Sequence, residues 1–86
     1  MKLTKQLQAE IRREMDKYRD RHVLFDTEDG AIYWDFNYKK GVFEAGDATN
    51  AGLIPEFSHA YEPSDAFQMN LVDFHAAAQE HFNINN

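Results

Sequence analysis

From Val23 to Ala45 apolar and polar residues alternate, interrupted by Asp29-Gly30 and by the run Tyr38 to Gly41. A period of two marks half-buried strands, so the stretch reads as antiparallel hairpins joined in a meander. An Asp-Gly pair between alternating runs favours a two-residue turn, because Gly takes the positive φ that such a turn needs. A turn there pairs Thr27 with Ile32, Phe25 with Trp34 and Val23 with Phe36. A four-residue second loop, Tyr38 to Gly41, sets Phe43 beside Phe36 and Ala45 beside Trp34; a three-residue loop would bring Glu44 into that layer. One sheet face then carries Val23, Phe25, Ile32, Trp34, Phe36, Phe43 and Ala45, with Trp34 as core. Burying each large side chain of this layer is worth about 2 to 3 kcal/mol, which calls for helices to cover it.

Two helices are expected to do so. Leu3, Leu7, Ile11, Met15 and Tyr18 fall in one arc about 120° wide at helical periodicity, which predicts a helix over 4–20 with Thr4 as N-cap. Arg12 with Asp16 and Glu10 with Arg13 stand at helical pairing distance on its solvated side. Phe67, Leu71, Phe74, Ala78 and Phe82 share one face of a second helix over 66–82, for which Asp65 and Gln68 form a variant capping box. Between sheet and second helix, Asp47 to Pro55 reads as a loop by composition. Glu56 to Tyr61 alternates again, and Pro55 at its start predicts an edge strand. The expected architecture is α+β in a single domain, 1–86: helix, a meander of three or four strands (23–27, 31–37, 42–46 and 56–61), helix, both helices on one sheet face.

Composition narrows the function classes. The chain has 86 residues and no Cys, which excludes disulfides, thiol nucleophiles and Cys-based zinc sites. No apolar run is long enough for a membrane span, and the opening MKLTKQLQAEIRREM has no apolar signal core, so a cytoplasmic location without membrane contact is expected. Net charge is −6, divided as seven basic and four acidic residues in 1–21 (+3) and two basic and eleven acidic in 22–86 (−9). An acidic body repels nucleic acid and favours basic partners.

The face opposite the apolar layer carries Leu24, Asp26, Tyr33, Asp35, Val42 and Glu44, with Asp35 directly across from Glu44. Like charges in that position are destabilising, so the pair suggests a docking patch for a basic partner, centred on Asp26, Tyr33, Asp35 and Glu44. Neutralisation by Lys39, Lys40 or the first helix is the structural alternative. On the second helix, Met69, Val72 and Ala76 lie opposite the core face, which points to a second interface, a homodimer being the simplest.

Other chemistry has weaker support. DTEDG lacks the length and alternating acids of an EF-hand loop. His22, His59, His75 and His81 form no ligand pair at helical spacing, and His75 reads as a hydrogen-bonded histidine at the edge of the buried helix face. No nucleophile elbow, phosphate loop or dinucleotide fingerprint is present, so neither a cofactor nor an enzyme is expected. Arg12, Arg13, Lys17, Arg19 and Arg21 raise a nucleic-acid reading, which the intervening acids and the acidic body oppose. The expected function is a non-enzymatic acidic interaction module, an inhibitor or adaptor of the kind made by phages and other mobile elements. A nucleic-acid-linked protein using the basic first helix is the alternative.

Overall fold

The computed structural model describes residues 3–18 and 22–84, and its elements are α1 (Lys5–Asp16), β1 (Val23–Thr27), β2 (Gly30–Asn37), β3 (Val42–Thr49), β4 (Gly52–Ala60) and α2 (Phe67–His81). The strands form one antiparallel sheet in the order β1-β2-β3-β4. Both helices pack on the same face: Tyr18, just past α1, sets its ring 5.6 Å from Trp34, and Phe74 of α2 lies 6.1 Å from the same indole. The fold is α+β, with the apolar layer read from the alternation as its floor.

Phe43 is the centre of the core. Its ring stacks on Phe74 at 4.9 Å and meets Phe36 edge-on at 5.0 Å, with Phe67 and Tyr61 at 5.9 and 6.0 Å. Phe43, Phe74 and Ile11 have essentially no exposed surface. Burial pushes the Tyr61 hydroxyl above its ordinary pKa, opposed by a hydrogen bond to Asn70. The β2–β3 hairpin follows the expected register, with Phe36 opposite Phe43, Asp35 opposite Glu44, Trp34 opposite Ala45 and a four-residue loop between. Gly41, at φ +71°, closes that loop by donating to the Asn37 carbonyl at 2.8 Å.

Four expectations are corrected. The first turn lies at Glu28-Asp29, so Thr27 pairs with Gly30 and Phe25 with Ile32. That slip of two residues keeps Phe25 on its face, since side chains alternate with period two. A bulge between Val23 and Phe25 then pairs Val23 with Tyr33, and Val23 is 46% exposed instead of core, while Leu24 is half-buried against the core. Second, Asp47 to Pro55 is no loop: β3 runs on to Thr49, turns at Asn50-Ala51 and returns in β4. Both tight turns read Thr-x-x-Gly, with Thr27 and Thr49 donating their hydroxyls to the carbonyls of Gly30 and Gly52, whose φ values are +125° and +120°. A bulge between Ala45 and Gly46 admits the extra Glu56 and pairs Gly46 with Pro55 on the edge strand.

Third, α2 begins after Ala66, which has no side-chain cap, and Asp65 stands outside the helix. Asn70, buried one turn in, takes over the ordering of this corner. Its Oδ1 accepts from the Glu62 amide at 2.7 Å, and its Nδ2 donates to the carbonyls of Glu62, Asp65 and Ala66 at 3.0, 3.2 and 3.1 Å. Gln68 reaches away, donating to the Tyr18 hydroxyl at 3.1 Å. Fourth, α1 ends at Asp16 in a tightened turn in which Tyr18 donates to the Met15 carbonyl at 2.9 Å, and the rest of its expected course, 19–20, is outside the described residues. Its start is as expected, with Thr4 Oγ1 accepting from the Leu7 amide at 3.2 Å.

Two substitutions test these points by urea unfolding. A Cβ on Gly46 would collide with the Ile54 carbonyl oxygen and stand 2.9 Å from the Glu56 nitrogen, both backbone atoms, so Gly46→Ala should cost about 2 kcal/mol or more. Asn70→Ala strips the 62–66 backbone of its buried partners and should cost about 2 to 3 kcal/mol; a loss under about 0.5 kcal/mol would contradict the clamp.

Candidate functional site

With both helices on one side, the other face of the sheet is left uncovered, and the register fixes what stands there. Side chains of directly opposed residues share a face, so the outer rows run Val23–Tyr33–Gly46–Pro55, Asp35–Glu44–Ser58 and Asn37–Val42–Ala60, with Ala48 beside Leu53 and Asp26 beside Ala31 toward the other end. Asp26, Tyr33, Asp35 and Glu44 are thus brought onto one surface. Asp26 and Asp35 are exposed, whereas Tyr33 and Glu44 are half-buried.

Asp35 and Glu44 face each other across β2 and β3, with Cβ atoms about 5 Å apart by the geometry of such pairs. Among the described residues no basic side chain forms an ion pair with either, and Lys39 and Lys40 in the adjoining loop are exposed. Local hydrogen bonds hold the carboxylates in place. Asp35 Oδ1 accepts from the Phe36 amide at 2.7 Å, and Glu44 Oε2 accepts from Asn37 Nδ2 at 3.3 Å. The pair is therefore oriented by dipoles, with no ion pair to either carboxylate among the described residues.

Two cations at the C-terminal end of the first helix, Arg12 and Lys17, are engaged elsewhere. Arg12 lays its guanidinium 4.2 Å from the centre of the Tyr38 ring, a cation–π contact where pairing with Asp16 was expected. Burial raises the Tyr38 pKa, and the Arg12 charge works against that shift. Lys17 binds Glu14 at 2.8 Å, the ion pair found among the described residues, and this bond holds the Glu14 carboxyl below its ordinary pKa. Glu10 and Arg13 do not pair. Arg19 and Arg21 of the expected basic cluster fall outside the described residues.

On α2, Met69 and Val72 are 54% and 61% exposed, and Ala76 is exposed beside them. This strip points away from the sheet and shares no surface with the acidic pair. His75, expected as a hydrogen-bonded core-edge residue, is exposed and sets its ring 4.9 Å from Phe25, while His81 stacks on Phe57 at 4.7 Å. His59 is half-buried opposite Phe43, and its Nδ1 has no hydrogen-bond partner among the described residues. Among the described residues no three His, Asp or Glu side chains are placed to hold a metal ion, and no helix is long and apolar enough to cross a membrane.

Hollows in the surface of the described residues include two beside the helices. One of about 410 Å³ lies between α1 and the start of α2, floored by Leu7, Ile11 and Phe67 and rimmed by Glu10, Arg13 and Glu14. The other, about 720 Å³, lies under the β1–β2 turn against Phe82 and Ile84, with Asp26, Asp29 and Asp47 at its rim.

Repulsion between Asp35 and Glu44 has a measurable signature. Glu44→Gln keeps an acceptor for Asn37 and removes one charge, so it should stabilise the protein by about 0.5 kcal/mol at low salt, shrinking toward zero near 1 M salt. Urea unfolding at both ionic strengths checks this, and a destabilised variant at low salt would mean that the pair is neutralised in solution. No protein-family model, no curated protein and no solved structure matches this chain.

Proposed function

We propose that this chain is a protein-interaction module without catalytic activity, whose open sheet face docks a basic surface of a partner protein in the cytoplasm. The observation behind this reading is the Asp35–Glu44 pair, opposed on an uncovered face and joined by no cation among the described residues. A structural role would favour an opposite charge at one of the two positions. The acidic body, −9 over 22–86, adds a field that draws a basic partner in and speeds its encounter. Small size and acidity suit an inhibitor or adaptor of the phage or mobile-element type.

The exposed Met69–Val72–Ala76 strip supports a second reading, self-association through α2. Nucleic-acid binding through α1 has less behind it, because Arg12 is spent on Tyr38 and Lys17 on Glu14.

Affinity capture from the source-cell lysate, wild type beside a folded Asp35→Lys, Glu44→Lys variant, tests the first reading. A protein retained by the wild type and lost with the variant is the expected result. Equal retention by both moves the contact to α2, where Val72→Asp and the sedimentation coefficient decide on self-association. Salt-sensitive binding of a labelled duplex that Arg12→Glu abolishes would overturn both in favour of nucleic acid.

A further inference from the structure

We propose that the segment docking on the open face is a short cationic amphipathic one, with apolar side chains beside its lysines or arginines. This rests on the docking reading above and adds the chemistry of the occupant. Next to the acidic row lies an apolar one: Val23, Tyr33, Gly46 and Pro55 are neighbours across all four strands, with Ala48 and Leu53 beyond them. Val23 is 46% exposed, and Pro55 and Ala48 are exposed too. Gly46 is buried against the β4 backbone and contributes no side chain, so Tyr33 and Pro55 supply the side chains in the middle of the row.

Three kinds of occupant fit this surface poorly. A hydrophilic polycation would pair Asp35 and Glu44 and leave the apolar row in water, losing the larger part of the available gain. A purely apolar segment would strip solvent from two carboxylates that no ion pair among the described residues compensates, which is costly. A second copy of the chain, docked face to face, would bring two like-charged pairs together within two acidic bodies. Size gives a further limit. Strands about 4.8 Å apart and rows about 7 Å apart make the face roughly 14 by 20 Å, about 300 Å², well below the ~800 Å² per partner of a standard globular interface. A face of that area accommodates one helix, about 10 Å across, or one extended strand of a partner.

Two designed peptides of equal length and equal positive charge serve as probes, one alternating Lys with Leu, the other with Ser in place of Leu. Each is titrated into the isotopically labelled protein, and amide shifts are mapped. The Leu peptide should bind about tenfold or more tighter than the Ser peptide and keep measurable affinity at about 0.5 M salt, shifting Tyr33, Gly46 and Ala48 along with Asp35 and Glu44. Val23→Ser should narrow the difference between the peptides without changing the Ser peptide's affinity. Equal affinities with shifts confined to the Asp35–Glu44 row would overturn the amphipathic occupant and leave the acidic docking reading standing. Shifts confined to α2, or none on the open face with either peptide, would overturn both.

Discussion

The stack of Phe43 on Phe74 is the contact on which the rest of the structure depends. It joins the middle of the sheet to the middle of α2, and Trp34, Phe36, Tyr61 and Phe67 gather around the same ring. Aromatic side chains supply large buried areas with defined mutual geometry, so few residues suffice for a core in a chain of 86. Because that core is one-sided, the outer sheet face takes no part in it. Charged residues there are free of packing constraints, and an unfavourable pair is tolerated because its cost, about 1 kcal/mol at most, falls outside the core.

Two bulges refine that face. The extra residue in β1 turns Val23 outward to Tyr33, and the extra Glu56 in β4 sets Pro55 against Gly46. Each moves an apolar side chain to a side where strict alternation would place a different residue. In a regular meander Leu24 would replace Val23 opposite Tyr33 and Glu56 would replace Pro55 opposite Gly46. The β4 bulge therefore keeps a carboxylate out of the apolar row.

This explains what was legible in the sequence. The α+β class, the two amphipathic helices, the Thr4 cap and the Asp35–Glu44 juxtaposition all follow from periodicities of 3.6 and 2 together with one loop length. Placement of Asp26, Tyr33, Asp35 and Glu44 on one surface survived the register slip because a shift of two residues preserves the face. Bulges leave no such trace, since one extra residue alters parity without altering composition. The 47–55 segment reads as a loop because Gly, Ala, Asp, Asn and Pro, all poor strand formers, make up most of it. A signal was available in Thr27-Glu28-Asp29-Gly30 and Thr49-Asn50-Ala51-Gly52, two turns with the same chemistry at the same spacing. Asn70 lacked any signal, for a buried amide that holds the adjoining corner resembles a surface residue in sequence.

The Pro55–Glu56 irregularity has a consequence for how such a chain survives at cellular concentration. An edge strand of nine residues, Gly52 to Ala60, would offer a continuous rail of unpaired amides and carbonyls to the next molecule and invite stacking into fibres. Proline removes one donor from that rail, and the adjacent bulge puts the two halves out of line, leaving Gly52–Ile54 and Phe57–Ala60 as separate stubs too short to template growth. The β4 border of the sheet is thereby made a poor template for strand addition, so this edge does not seed a growing stack.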